Sequence, residues 1–460
     1  MSPVVDLPPR AAGEIAVIGL ARSGRGVAKL LNKNGYHVYA SDAASTAAFA
    51  ACAKDLRSLG IEARAGGHDL DRVGKAALVV VSPGVPPDAP PLAVARASGV
   101  RVASEVEVAL HFLGDSRIIA VTGTNGKTTT TALIAHILQQ LSGDAVEAGN
   151  IGTALSEIAL AARHPKWIAL EMSSFQLHDT PSLDPLVGVL TNLSPDHLDR
   201  YASVDAYYAD KAKLFSSARS SSHWVLNGDD ALVREMATGV AGHQHLFSAG
   251  READAYYDSA SAMLVLLGKP LAGRSELLLL GIHNVANALA ASLAVAVADT
   301  SHQTGEARAT IATALRGFRA LPHRLELVGE FDGVQWINDS KATNVSSTAV
   351  AIDGMERPTV LLLGGRHKGE AYSPLANGIR SKVKKVIAYG EAAPLIERDL
   401  ASHVAVEVHR SDFDAAVAAA RAAARAGDAI LLSPACSSYD MFTNYEERGE
   451  RFRALAMVSQ

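Results

Sequence analysis

An α/β fold in three units, each built on a mostly parallel sheet, is what this sequence predicts. Three observations carry the prediction. Short apolar runs alternate with helical stretches along the whole chain. Most of those runs stop in a glycine-rich or polar turn. The chain has 460 residues and 48% hydrophobic content, enough for several buried cores.

The first unit is placed at residues 1–106. Gly13 to Leu20 reads as a buried parallel strand, Ala21 to Gly24 as a turn, and Val27 to Asn32 as a helix. Val38 to Ser41 is a second strand ending at Asp42. Ala77 to Val81 is another, stopped by Ser82-Pro83-Gly84-Val85-Pro86-Pro87. These elements describe a Rossmann-like domain. The first turn, Gly19 to Gly24, is not G-x-G-x-x-G, which weighs against a dinucleotide-dependent dehydrogenase.

The second unit is placed at 107–320. Its strands are Arg117 to Val121, Trp167 to Leu170, Val187 to Thr191 and Trp224 to Asn227, and a helix over Val285 to Ala298 closes it. The first of them runs into Thr122-Gly123-Thr124-Asn125-Gly126-Lys127-Thr128, with a helical stretch from Thr130 to Leu141 behind. This is a P-loop ATPase-like parallel sheet. The third unit, 321–460, is a second Rossmann-like domain with strands Val334 to Asn338, Thr359 to Leu363, Val386 to Tyr389 and Ala429 to Leu432. Three such domains joined by short connections imply clefts for ligands between them and interfaces that let the domains move against each other.

Composition excludes several classes. The net charge is −5, so no basic surplus points to nucleic acid. Cys52 and Cys436 are too few for a disulfide framework and have no metal spacing, which fits a reducing cytoplasm. Neither a signal peptide nor a membrane-spanning apolar stretch is expected, and the chain is read as a cytoplasmic monomer without a membrane partner.

The strongest chemical signal is Gly123 to Thr128. Its glycines let backbone N–H groups turn toward phosphate oxygens, and the helix behind adds the positive end of its dipole. Lys127 can reach the β/γ-phosphates and Thr128 can place a hydroxyl on Mg²⁺. A general P-loop has glycine where Val121 stands, so this is a shorter variant. The plainer alternative is a glycine turn with an exposed lysine.

Glu171 follows the strand Trp167 to Leu170, at a sheet edge where a carboxylate can take Mg²⁺ or serve a helix cap. The loop Thr191 to Asp199 holds His197 between Asp196 and Asp199. On pattern alone, Lys211 and Lys213 read as solvated lysines on a helix starting near Val204.

Taken together, T-G-T-N-G-K-T (122–128), G-N-I-G (149–152), E-M-S-S-F-Q-L (171–177), N-L-S-P-D-H-L-D (192–199), H-N-V-A-N (283–287), L-P-H-R-L-E (321–326) and N-D-S-K-A-T-N (338–344) resemble the Mur ligase family over nearly the whole chain. L-L-L-G-G-R-H-K-G (361–369) and L-S-P-A-C-S-S-Y-D-M-F-T-N-Y-E-E-R-G (432–449) are similar to members that add D-glutamate to UDP-N-acetylmuramoyl-L-alanine. L-glutamate stays open as the alternative amino acid, because fold does not fix substrate.

The resemblance implies an ATP-dependent, ADP-forming ligase working through an acyl phosphate, with two Mg²⁺ ions. It implies that Gly123, Thr124, Asn125, Gly126, Lys127, Thr128 and Thr129 hold ATP phosphates, and that Asn284, Asn287, His323, Arg324 and Asp339 line the rest of the nucleotide. Thr128, Glu171, His197 and Lys211 would be metal ligands, with Lys211 carbamylated. Asn150 would lie between phosphate and acceptor. Ser23, Gly24, Asp42, Ser82 and Gly84 would hold the UDP-sugar, although Ala43 and Ala44 replace the basic residue that some members carry after that acid. Lys341, Thr343, Lys368, Ser438 and Tyr445 would receive the glutamate. The proton from its amine would go to His197 or a nearby carboxylate.

Overall fold

The computed structural model describes residues 7–197 and 200–458, so Asp199 lies outside the described residues. The chain forms two compact units, Met1–Ala272 with Asn287–Leu315, and Gly273–Ala286 with Arg316–Gln460. Among the described residues there are three sheets, two in the first unit and one in the second.

The first sheet consists of β1 (Ile15–Ile18), β2 (Val38–Asp42), β3 (Glu62–Ala65), β4 (Leu78–Val81) and β5 (Val102–Ser104), in the order β3-β2-β1-β4-β5. All its pairs are parallel. Val17 and Val80 pack into one core and Ile18 and Val79 into another, on opposite faces. A strand buried on both faces reads as a continuous apolar run, which is why β1 and β4 are legible in the sequence. Ile18 is level with Ser41 and with Val81, so the loops after β1, β2 and β4 leave the sheet side by side. One expectation is corrected here. The helix after β1 spans Arg22–Lys33, so Ser23 and Gly24 belong to its first turn instead of to a preceding turn. A Cβ on Gly24 would lie 1.7 Å from the Gly19 carbonyl oxygen, and glycine is what lets the helix start so close to the strand.

The second sheet holds β6 (Arg117–Thr122), β7 (Ala145–Gly149), β8 (Trp167–Glu171), β9 (Val187–Leu190), β10 (His223–Asn227), β11 (His243–Ser248), β12 (Ala255–Asp258), β13 (Met263–Leu266) and β14 (Lys269–Gly273). Their order is β14-β13-β12-β11-β10-β9-β6-β8-β7. From β7 to β12 the pairing is parallel, as expected. The edge departs from that expectation, because β13 runs antiparallel to β12. β13 and β14 are joined by the two-residue turn Leu267-Gly268, both at positive φ, a geometry that suits hairpins. Chain order reverses at β6, with β8 on one side and β9 on the other. Loops at the carboxyl ends of strands at such a reversal form a ligand crevice. Val121 pairs with Glu171, Glu171 with Gly149, and Thr122 with Leu190, so the loops after β6, β7, β8 and β9 emerge on one rim.

The third sheet consists of β15 (Glu326–Phe331), β16 (Val334–Asn338), β17 (Thr359–Gly364), β18 (Val383–Tyr389), β19 (Val406–His409) and β20 (Ala429–Leu432), in the order β15-β16-β20-β17-β18-β19. β15 is antiparallel to β16 and the rest are parallel. Asn338 and Leu362 both pair with Leu432, so the loops after β16, β20 and β17 also share a rim.

Candidate active site

The loop after β6 is shaped by its neighbour after β9. The Asn192 side chain accepts from the Asn125 N–H at 2.8 Å and donates to the Asn125 carbonyl at 3.0 Å. Thr191 Oγ1 donates to the same carbonyl at 2.6 Å. Thr124 Oγ1 donates to the Ser194 carbonyl and accepts from the Ser194 N–H, both at 3.0 Å. Gly123 sits at φ 144°, and a Cβ there would lie 2.0 Å from Thr191 Oγ1. The helix Lys127–Ser142 then starts at Lys127, earlier than its apolar pattern implies, and its first turn opens onto the loop. Thr128 is buried and Thr129 half-buried in that turn. Asn287 joins them, its Oδ1 accepting from Thr130 Oγ1 at 3.2 Å. Thr191 and Asn192 went unassigned as loop-shaping residues in the sequence. Their place directly after a strand in the same parallel sheet was the available signal.

Around this loop the rim gathers charge. Lys127 Nζ donates to the carbonyls of Gly123 and Thr124, at 3.0 and 2.7 Å. Lys211 Nζ donates to the same Gly123 carbonyl at 2.6 Å. Lys211 is only 1% exposed, so its reading as a surface lysine does not hold. Its ammonium lies 4.6 Å from the centre of the Tyr207 ring. Burial, and next the charge of Lys127, push its pKa well below the ordinary lysine value. Phe175, His197, Tyr201 and Tyr207 form a chain of touching rings beside it. His197 adopts φ 55° and turns its ring toward Asp196, with Nε2 to Oδ2 at 3.8 Å.

Glu171 is buried at the end of β8. Its Oε1 accepts from Asn150 Nδ2 at 2.8 Å, and its Oε2 is buried without a hydrogen-bond partner. A buried carboxylate oxygen left without a donor is costly. A hard divalent cation such as Mg²⁺ is a group that would satisfy such an oxygen. Among the described residues no cluster of three or more His, Cys, Asp or Glu could hold a metal alone. Any ion here must therefore complete its shell with water and phosphate oxygens. Lys213 is no isolated surface lysine either: it pairs with Asp210 at 2.9 Å, and Asp210 also meets His178 at 2.8 Å.

The residues expected to hold the UDP-sugar lie on the first sheet's rim. Asp42 accepts from the N–H groups of Leu20 and Ala44, both at 2.8 Å, which fixes the turns after β1 and β2. Ser82 is buried and donates to the Gly19 carbonyl at 3.2 Å. Gly84 is exposed. A cavity of about 460 Å³ runs from Ser82 to Phe175, Gln176, Tyr201 and Lys213, linking this rim to the phosphate loop's rim. Gln176 is buried with an unpartnered Nε2 in its wall.

In the second unit, Asn284 donates to the Leu280 carbonyl at 2.8 Å. His323 is buried at φ 64°, with Asn338 Nδ2 3.0 Å from its Nδ1. Arg324 is half-buried beside it. Asp339 accepts from the Leu325 N–H at 3.1 Å and Ser433 Oγ at 2.9 Å, and burial raises its pKa to about 7. Lys341 Nζ lies 3.8 Å from the centre of the Tyr445 ring. Thr343 is half-buried, Lys368 exposed and Ser438 buried on the neighbouring loops.

A phosphate loop, a buried lysine and an orphaned carboxylate on one rim, in a chain that also carries two further α/β sheets, define a nucleotide-dependent enzyme of the ligase type. Three family models match along the chain: a Mur ligase MurD-like N-terminal domain over 13–104, a Mur ligase middle domain over 121–295 and a Mur ligase glutamate ligase domain over 323–436. The chain belongs to the Mur ligase family. It is 39% identical to the UDP-N-acetylmuramoylalanine–D-glutamate ligase of Gloeobacter violaceus, over 96% of this chain and 98% of that one. It is 40% identical to the protein of the same name from Pelotomaculum thermopropionicum, over 96% and 97% of the two chains. Among solved structures, the fold is similar to a pseudomurein peptide ligase type C from Methanothermus fervidus, at TM-score 0.61, 19% identity and coverage of 97% and 100%. It is also similar to the UDP-N-acetylmuramate–alanine ligase of Thermotoga maritima, at TM-score 0.60, 20% identity and the same coverage. No helix among the described residues is long and apolar enough to cross a membrane.

Proposed function

We propose that this protein joins D-glutamate to UDP-N-acetylmuramoyl-L-alanine at the expense of ATP, in peptidoglycan precursor synthesis, as a cytoplasmic monomer. The observation that carries the reading is the near-full-length likeness, 39% identical over 96% of the chain, to proteins named for that reaction.

The loop from Gly123 to Thr129 receives the ATP phosphates, and Lys127 exchanges the carbonyls of Gly123 and Thr124 for phosphate oxygens. Asn284, Asn287, His323, Arg324 and Asp339 line the rest of the nucleotide. Thr128, Glu171 and His197 would hold Mg²⁺, which would supply positive charge to offset that of the phosphoryl group. Lys211 completes the site as a carbamate: its neutral amine adds to CO₂, an N–C bond forms and a proton is released. Burial next to Lys127 favours that neutral amine. The carbamate would offer an oxygen ligand to a second Mg²⁺.

Ser23, Gly24, Asp42, Ser82 and Gly84 hold the UDP-sugar, and Asn150 orients the acceptor's terminal carboxylate. A carboxylate oxygen attacks the γ-phosphorus, and the bond to ADP breaks. The amine of glutamate, held by Lys341, Thr343, Lys368, Ser438 and Tyr445, attacks the acyl carbon. A C–N bond forms, phosphate leaves, and His197 or a neighbouring carboxylate takes the amine proton.

The test is ADP release by the purified protein with ATP, UDP-N-acetylmuramoyl-L-alanine and each amino acid in turn. Turnover with D-glutamate, and not with L-glutamate or L-alanine, is expected. No turnover with D-glutamate refutes the assignment.

A further inference from the structure

Arg448 is 0% exposed, on the first turns of the helix Tyr445–Met457. Its guanidinium donates to neutral oxygens: Nε to Ser340 Oγ at 2.9 Å, one terminal nitrogen to the Ser340 carbonyl at 2.8 Å, and the other to the Cys436 carbonyl at 3.2 Å. These acceptors are neutral, the buried carboxyl of Asp339 lies close enough to feel the charge of Arg448, and losing a buried, hydrogen-bonded cation of this kind is costly.

Ser340 lies between Asp339 and Lys341 on the loop after β16. Its Oγ also donates to the Tyr445 carbonyl at 2.8 Å, so one hydroxyl bridges Arg448 and Tyr445. Cys436 lies on the loop after β20, two residues before Ser438. That loop is tied to the first by the Ala435 N–H to the Ala342 carbonyl at 2.9 Å. The Arg366 N–H donates to the Ser437 carbonyl at 2.8 Å, which ties it to the loop carrying Lys368. A Cβ on Gly365 would meet an Arg448 terminal nitrogen at 3.1 Å, so this third loop also presses on the guanidinium. The loops bearing Lys341, Lys368 and Ser438, and the helix turn bearing Tyr445, all converge on one side chain.

We infer that Arg448 is the positioning residue of the amino-acid pocket: its planar fork fixes these loops in register. The inference rests on the proposed reaction. Arg448 itself touches no reacting atom.

The experiment measures KM for each of the three substrates in the wild type, Arg448→Lys, Arg448→Gln and Ser340→Ala. Lysine keeps the charge and loses the fork, glutamine loses the charge, and Ser340→Ala leaves the guanidinium buried while removing the bridging hydroxyl. The expected result is a rise in KM for D-glutamate of about tenfold in Arg448→Lys and more in Arg448→Gln. Ser340→Ala should give a smaller rise, and KM for ATP and acceptor should stay within about twofold in every variant. If Arg448→Gln does not fold, the other two variants decide. An unchanged KM for the amino acid, or an equal rise for all three substrates, overturns the inference. If the wild type uses another amino acid, the proposed reaction fails, and Arg448 is judged on KM for the amino acid that the wild type accepts.

Discussion

Lys127 and Lys211 donate to one carbonyl oxygen, that of Gly123, from 3.0 and 2.6 Å. Two ammonium groups on one acceptor repel each other, and the more buried one gives up its proton more readily. Lys211 is thereby the ammonium on this rim that is pushed toward its neutral form. Replacing Lys211 with alanine should lower the ligation rate by about a hundredfold or more, since the proposed carbamate ligand is lost. Acetate or propionate should restore part of the rate by supplying the missing carboxylate. Initial rates of ADP release with and without these acids check this. An alanine variant of ordinary activity removes the carbamate from the mechanism.

Glu171 makes a separable prediction. In Glu171→Gln the side-chain oxygen can still accept from Asn150, so the fold at this corner is kept. The position of the oxygen without a donor becomes an uncharged amide nitrogen, and a buried carboxylate charge is removed. The Mg²⁺ concentration for half-maximal rate should rise about tenfold or more, while the melting temperature stays level or increases. A Mg²⁺ titration of the rate, paired with thermal melts, measures both. A fallen melting temperature with unchanged Mg²⁺ dependence makes Glu171 structural.

The chemistry near the phosphate loop was legible because it sits in contiguous motifs after strands buried on both faces, such as β1 and β6. What the sequence hid is tertiary. Lys211 lies in a helix of mixed polarity, and its burial against the Tyr207 ring and the Gly123 carbonyl appears only in the fold. Strand β3, with the polar sequence Glu-Ala-Arg-Ala, has no apolar signal of its own and exists by pairing with β2. Arg448 stands in a quoted motif, yet nothing local distinguishes it from Arg451, which is paired with Asp414 at the surface. Its role appears only when three loops distant in sequence meet around it.

Asn192 tests how far the loop after β9 sets the shape of the phosphate loop. Asn192→Ala leaves the Asn125 N–H without its acceptor and the Asn125 carbonyl with one donor fewer. A lost pair of this kind costs about 1–3 kcal/mol where the groups cannot reach water. KM for ATP should rise about tenfold, with KM for the acceptor less affected. Nucleotide affinity measured by calorimetry distinguishes this from a general loss of folding, in which both affinities would drop together.

The final prediction concerns Glu105, at the start of the helix Glu105–Leu110 and outside the proposed chemistry. It is buried, one carboxylate oxygen accepts from the Ser156 N–H, and the other has no partner; Ser156 Oγ is also unpartnered. Burial raises the Glu105 pKa to about 7. In the unfolded chain the carboxyl titrates near 4.3, so between about pH 4 and pH 7 the folded protein holds a proton that the unfolded chain has lost. The unfolded state then binds fewer protons, and this group's contribution to stability falls as pH rises through that window, levelling off above it. Glu105→Gln cannot ionise, and its amide can donate to Ser156 Oγ while its oxygen keeps the Ser156 N–H. The variant should therefore melt higher than the wild type at pH 8, by several degrees, and the gap should close as pH approaches 4. Thermal melts across that range measure the difference. A gap that does not depend on pH would mean that glutamine repairs packing or hydrogen bonding, and that the carboxyl's proton plays no part in the stability of this corner.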